Sequence, residues 1–271
     1  MKVNGKTAIV TGAGRGIGAA ICARLVDAGA HVVAADLDGD AAGQVADELC
    51  AIRPDAAVAV AGDVADENYL RELIAAAEHR FGPVQLYFAN AGIPGRAGLG
   101  DDEGWRLAFD VHVQAHVRAA RLLVEGWVAR GEGYFVSTAS AAGLLTQIGA
   151  ADYSVTKHAA VAFAEWLSVT YGDKGIRVSC LCPMGVDTAM LQAGVESGDR
   201  WGAAAARAVT EAGAVLRPED VAAQVLDAIG DERFLILPHP EVGEMHRQKA
   251  SDYDRWLGGM RRYQASLLAV G

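Results

Sequence analysis

The chain is poor in the features that mark several large classes of protein. It has only four cysteines in 271 residues, Cys22, Cys50, Cys180 and Cys182. Their spacing matches neither a zinc site nor a paired framework, which argues against a disulfide scaffold and fits a reducing compartment. Positive charge is in deficit: 24 Lys and Arg face 34 Asp and Glu, a formal net charge of −10 with no basic stripe. Phosphate backbones need clustered cations, so nucleic acid is not the expected partner. No apolar run approaches the roughly 20 residues that span a bilayer. The N-terminus shows no leader pattern, because Thr7-Ala8-Ile9-Val10 reads as a strand almost at once. No composition shift separates two large domains. The expectation is a soluble, cytoplasmic protein with no membrane partner.

What is present is a large apolar fraction, 52%, with 32 glycines spread evenly. A chain of this length can bury a sizeable core. Strand-like runs are expected at 6–11, 31–35, 56–61, 84–89, 133–138, 176–181 and 234–237. Helical spacing is expected at 16–28, where Ile17, Ile21 and Leu25 recur, and then at 40–52, 67–81, 102–129 and 150–171. Apolar strands separated by helices call for an α/β architecture: a doubly wound, parallel, seven-stranded sheet with helices on both faces. Ligands then bind beyond the carboxyl ends of the strands, where strand order reverses. The chemically suggestive residues fall just there, after strands or at helix starts.

The first such place is Thr11-Gly12-Ala13-Gly14-Arg15-Gly16-Ile17-Gly18, between the first strand and its helix. Glycines let a backbone approach a pyrophosphate, and the helix N-terminus offers free N–H groups and a favourable dipole. Asp36 ends the second strand at the distance expected of a ribose-binding carboxylate, with Leu37 beside it. Its charge would favour NAD and repel the extra phosphate of NADP; the alternative is an ordinary helix cap. Arg15 either touches cofactor phosphates or points to solvent. Asp63-Val64 closes the third strand and Asn90-Ala91-Gly92 the fourth. The first could accept from an adenine amino group and the second pack against a sugar and ring, or both are turn chemistry.

The last place is Ser140 with Tyr153-Ser154-Val155-Thr156-Lys157. On a helix Tyr153 and Lys157 stack one turn apart on one face. A phenol with its ordinary pKa of about 10 is a poor base, and a neighbouring ammonium favours the phenolate. Ser140 could orient an alcohol or carbonyl oxygen beside it.

Taken together, Thr11-Gly12-x-x-x-Gly16-Ile17-Gly18, Asp63-Val64, Asn90-Ala91-Gly92, Ser140 and Tyr153-x-x-x-Lys157 resemble the short-chain dehydrogenase/reductase family over about residues 6–240. The resemblance implies a Rossmann fold of the single-domain type. It implies Tyr153 as acid/base, Lys157 as ribose ligand and pKa-lowering group, and Ser140 as holder of the reacting oxygen. It also implies that Pro183 and the stretch Val186 to Thr188 contact the nicotinamide. Two positions depart from the family pattern. His112 stands where Asn is usual; it either relays protons or is a hydrogen-bonded core residue. Met184 stands where glycine commonly follows the proline, narrowing the substrate side. His112 and His116 share an i, i+4 spacing, but without a third ligand no metal is expected.

The substrate pocket is expected from 93–100, 144–147 and the segment 184–216. That segment reads either as a lid, with Met190, Leu191, Val195 and Trp201 covering an apolar ligand, or as a plain connection. No cluster of Arg or Lys converges in that segment, so the expected substrate is an uncharged, largely apolar secondary alcohol or its ketone. The helix bearing Tyr153 is apolar nearly all round, which calls for a homodimer or homotetramer through it and its neighbour. Residues 1–240 form the dinucleotide-binding and catalytic domain. Residues 241–271 form a helical tail, with Met245, Tyr253, Trp256, Met260, Tyr263 and Leu267 at roughly helical spacing, packed on that domain or on a neighbouring subunit. The reading from sequence is an NAD-dependent alcohol dehydrogenase or ketone reductase; the alternative is an NAD-binding regulator without turnover.

Overall fold

The computed structural model describes residues 1–196 and 198–269. Strands β1 (Thr7–Thr11), β2 (His31–Asp36), β3 (Ala57–Ala61), β4 (Val84–Ala89), β5 (Gly133–Thr138), β6 (Ile176–Leu181) and β7 (Leu235–Ile236) make one sheet. Its order is β3-β2-β1-β4-β5-β6-β7 and every pairing is parallel. Order reverses between β1 and β4, and this places the ligand crevice above their carboxyl ends.

The central strands are apolar without alternation because both faces are covered. Successive side chains go to opposite layers. Ile9, Val33 and Phe135 join one core with α3 (Glu67–Phe81), α5 (Ala115–Arg130) and α6 (Ala151–Tyr171). Ala8, Val10, Val32, Tyr134 and Val136 join the other with α1 (Gly16–Asp27), α2 (Gly39–Ile52) and α9 (Pro218–Asp231). α9 has no counterpart among the expected helices, although Pro218 at its first turn, with Glu219 and Asp220, is a helix-start pattern.

The expected helix at 102–129 is interrupted. α4 (Asp102–Phe109) passes through a five-residue π turn, Asp110–Gln114, before α5 begins. π turns are rare and cluster at functional sites, and this one carries His112. After β6 the chain makes an excursion through α7 (Ala189–Val195) and α8 (Arg200–Thr210), returning at Leu216.

The tail forms α10 (Pro240–Ser251) and α11 (Tyr253–Leu268), the second unbroken through Gly258 and Gly259. α11 is held by packing: Leu267, Met260 and Tyr263 sit against Ile148 and Ala204. Among the described residues no helix is long and apolar enough to cross a membrane.

Candidate active site

A cavity of about 1480 Å³ opens at the carboxyl ends of β1, β4, β5 and β6. Every cofactor and catalytic residue expected from the sequence lines it. At one end lies the glycine turn. Gly12 has φ +63°, a conformation that favours glycine. A Cβ on Gly18 would sit 2.0 Å from Gly12 O, so α1 can approach the turn only without one. Asp36 faces this turn from the end of β2. Its carboxylate accepts Gly14 N–H at 2.8 Å and Asp38 N–H at 3.0 Å. Arg15 is turned outward onto Asp38, Nη2 to Oδ2 2.5 Å, with both side chains well exposed.

The strand ends are tied to one another. Asn90 donates from Nδ2 to Thr11 O (3.0 Å) and accepts from Thr138 Oγ1 at Oδ1 (3.2 Å). Thr11 Oγ1 accepts both Asn90 N–H (3.0 Å) and Ala91 N–H (3.1 Å). The amide of Asn90 therefore spans β1, β4 and β5 at the floor of the crevice. Asp63 accepts Ala65 N–H at 2.9 Å, so its carboxylate shapes its own turn while lining the cavity.

Ser140 follows β5. Its Oγ accepts Ala142 N–H (3.1 Å) and donates to Pro183 O (3.5 Å). Tyr153 and Lys157 lie on the first turns of α6. The Tyr153 residue is half-buried. Burial pushes the phenol pKa up, and the Ser140 hydroxyl pulls it back down. Lys157 is 3% exposed. It donates from Nζ to Thr138 O at 3.0 Å and lies 5.6 Å from the centre of the Tyr153 ring. Burial pushes its pKa down to about 8, leaving it mostly protonated near neutral pH.

His112 is fully buried. Its Nε2 accepts Ile93 N–H at 3.1 Å, so the proton of the neutral ring is on Nδ1. Nδ1 then donates to Thr156 Oγ1 at 2.9 Å, which donates onward to Asp152 O at 2.8 Å. Burial holds its pKa well below the ordinary value, helped by the Lys157 charge. Both nitrogens are engaged, so the ring is a core bracket that places the 93–97 loop and meets the edge of Tyr153 at 5.5 Å. His116 lies deeper, its Nδ1 3.1 Å from Ser137 Oγ, with burial pushing its pKa down to about 3.

The substrate side is walled by Ile93, Leu145, Met184, Met190, Leu191 and the tail residues Met245, Trp256 and Met260, and Arg96, Arg255 and Arg262 also line the cavity, cations that the reading of 184–216 alone did not include. Two expected covers do not contribute. Val195 is 58% exposed, and Trp201 lines a separate hollow against Gly98 and Gly149. Residues on an amphipathic connection look alike in sequence whichever way they turn. Two contributors had no sequence signal. Lys249 of α10 donates to Leu144 O and Leu145 O, both 2.8 Å, pinning the tail to the loop that walls the cavity. His239, at the start of α10, holds the Met184 backbone.

The comparisons agree with this geometry. A sequence profile described as short chain dehydrogenase matches residues 6–198. The chain is 35% identical to 1-deoxy-11-beta-hydroxypentalenate dehydrogenase of Streptomyces exfoliatus, over 93% of this chain and 90% of that protein. It is 34% identical to cyclohexanol dehydrogenase of an Acinetobacter species, over 70% and 76% respectively. A short chain dehydrogenase/reductase from Burkholderia phymatum, solved in complex with NAD, superimposes with a TM-score of 0.85 at 30% identity, covering 94% of this chain and 96% of that one. With a profile match over most of its length, and with Ser140, Tyr153 and Lys157 gathered beside the glycine turn, the chain belongs to the short-chain dehydrogenase family.

Proposed function

We propose that this oxidoreductase uses NAD to interconvert a cyclic, largely apolar secondary alcohol and its ketone. The observation that carries the reading is convergence: Ser140, Tyr153 and Lys157 share one cavity with a glycine cradle at one end and an apolar wall at the other. The residues fit a dinucleotide. A Cβ on Gly14 would lie 3.1 Å from Asp36 Oδ2, so the cradle is kept open beside a carboxylate that suits ribose hydroxyls. Gly12, Gly16, Ile17 and Gly18 would hold the pyrophosphate and Asp36 with Leu37 the ribose. Asp63 and Val64 would hold the adenine, and Ala91, Gly92, Pro183, Val186 and Thr188 the nicotinamide half. When bound, the nicotinamide accepts or gives the hydride.

The chain's own groups handle the proton. Tyr153 takes it from the substrate hydroxyl in oxidation and returns it in reduction. Ser140, which reaches the same phenol, orients the substrate oxygen. The Ser140 hydroxyl favours the phenolate against burial, the larger effect, which holds the phenol above its ordinary pKa; the Lys157 ammonium is assigned the same sense as Ser140 by its charge. The apolar wall excludes water from the reacting carbon. The sequence relatives act, by name, on a hydroxypentalenate and on cyclohexanol, which is the basis for a cyclic alcohol here.

Preference for NAD over NADP rests on Asp36. Assembly as a homodimer or homotetramer rests on the outer face of α6, where Val155, Trp166 and Val169 are 46%, 56% and 85% exposed. Four free thiols suit a reducing, cytoplasmic setting. A regulator without turnover finds no support, since His112, the departure that raised it, serves to place the 93–97 loop. The test is NAD reduction, followed at its absorbance band, against secondary alcohols from cyclohexanol to polycyclic ones. Turnover of a cyclic member is the expected result. Tight NAD binding with no turnover across the panel would overturn the proposal.

A further inference from the structure

The segment 183–188 leaves β6 and walls the cavity through Pro183, Met184, Val186 and Thr188. The excursion that follows is lightly anchored: α7 buries no residue, and α8 only Ala204 and Ala206. α8 is steadied at its far side by α11, where Ala204 packs on Leu267 and Tyr263 donates to Ala208 O, and α7 depends on the neck that joins the excursion to β6. Two backbone hydrogen bonds close the neck, Asp187 N–H to Leu216 O and Leu216 N–H to Gly185 O, each 2.9 Å.

One side chain completes the closure. His239 lies between β7 and α10 and is 1% exposed. Its Nδ1 accepts Met184 N–H at 3.2 Å, so the neutral ring carries its proton on Nε2. That Nε2–H is shared between Gly185 O at 3.0 Å and Ala214 O at 3.1 Å. One imidazole therefore holds the outgoing side of the neck by two groups and the returning side by a third. Few side chains can accept at one edge and donate at the other from a fully buried position.

We infer that His239 is a positioning residue. It locks the α7–α8 excursion to the 183–188 wall and so sets how the substrate side of the cavity is covered. The ring itself does not line the cavity. Its kinetic consequence rests on the dehydrogenase reading, whereas the coupling of neck to wall does not.

Two substitutions divide the ring. His239→Asn keeps an acceptor near the Nδ1 position but cannot reach Gly185 O and Ala214 O. His239→Gln places its amide N–H near the Nε2 position and keeps that bridge. Amide hydrogen exchange of the full-length folded protein, read by mass spectrometry, needs no substrate. In His239→Asn, exchange in α7 and α8 should rise about tenfold, the equivalent of one lost buried hydrogen bond, with β1, β4 and β5 unchanged. In His239→Gln it should stay within about threefold of wild type. With cyclohexanol as probe, the Asn variant should show a raised KM at similar kcat and unchanged NAD affinity. Equal exchange in the two variants, or a rise shared by the whole sheet, would overturn the inference. Absence of turnover in the wild type would count against the dehydrogenase reading alone and leave the exchange contrast to decide this one.

Discussion

Asp36 offers the sharpest electrostatic prediction. Its carboxylate is fixed by Gly14 N–H and Asp38 N–H, so it cannot swing away from a phosphate on the adjoining ribose. A like-charge pair 4 Å apart costs about 4 kcal/mol at an effective dielectric near 20, and solvent screening leaves roughly half. At 1.4 kcal/mol per decade, that is a preference for NAD over NADP of about 10- to 100-fold in kcat/KM. Arg15 could oppose it, but its guanidinium is engaged by Asp38 and would have to abandon that partner and its side-chain freedom to reach in. Asp36→Asn is the informative change. It keeps the size of the side chain and an acceptor for one of the two N–H groups, and removes the charge with the other acceptor, so the loss of preference reads the electrostatics and not the shape. The assay is kcat/KM with both cofactors and one alcohol, in wild type and variant, at two salt concentrations. The variant should approach parity, and added salt should narrow the wild-type gap. A wild type that prefers NADP, or an unchanged ratio in Asp36→Asn, would refute the reasoning.

Acid should destabilise the fold earlier than its carboxylates alone would require. His112 and His116 are buried and neutral, with pKa values below the unfolded 6.5, so below that pH the unfolded state binds more protons and stability falls as pH falls. Between pH 7.5 and 5 His116 contributes a loss of about 2 kcal/mol and His112 a loss of the same sign, to be read from urea midpoints; a flat profile across that range would contradict it. Lys249→Met should leave two buried carbonyls short of a partner and loosen the 144–145 turn, at a cost of about 1–3 kcal/mol. Substrate KM should rise while NAD affinity holds, and kinetics beside fluorescence titration will show whether both move together, which would locate Lys249's effect elsewhere.

How much of this was legible in the sequence depends on the range of the interaction. The limits of β4, β5 and β6 coincide with the expected ones because apolar runs buried on both faces end abruptly, and those of α3 because Asp66 caps its start and Gly82 its end. The residues expected to hold a cofactor and act on a substrate all line one cavity: Gly12, Asp36, Asp63, Asn90 and Ser140 sit at strand ends, and Tyr153 and Lys157 on the first turns of α6. The π turn at His112 left no trace, since five residues cannot distinguish its period from that of an α-helix. The hydrogen bonds of Lys249 and His239 cross 105 and 54 residues respectively, and nothing local specifies a buried cation or imidazole that far from its partner. Val195 and Trp201 differ from expectation for the opposite reason: their apolarity is plain, but an apolar residue does not specify its direction, which for Trp201 follows from how α8 packs on α11.

The central claim is that the Tyr153 hydroxyl moves the substrate proton inside a dinucleotide-binding cavity. Tyr153→Phe removes that oxygen and leaves the ring against His112 and Lys157. Turnover of a cyclic alcohol that the wild type oxidises, measured beside NAD affinity by fluorescence titration, tests it directly. Turnover should fall by at least about 10²-fold, the range expected for loss of a positioned acid/base, while NAD affinity stays within about threefold. A variant that keeps most of the wild-type turnover would contradict the account.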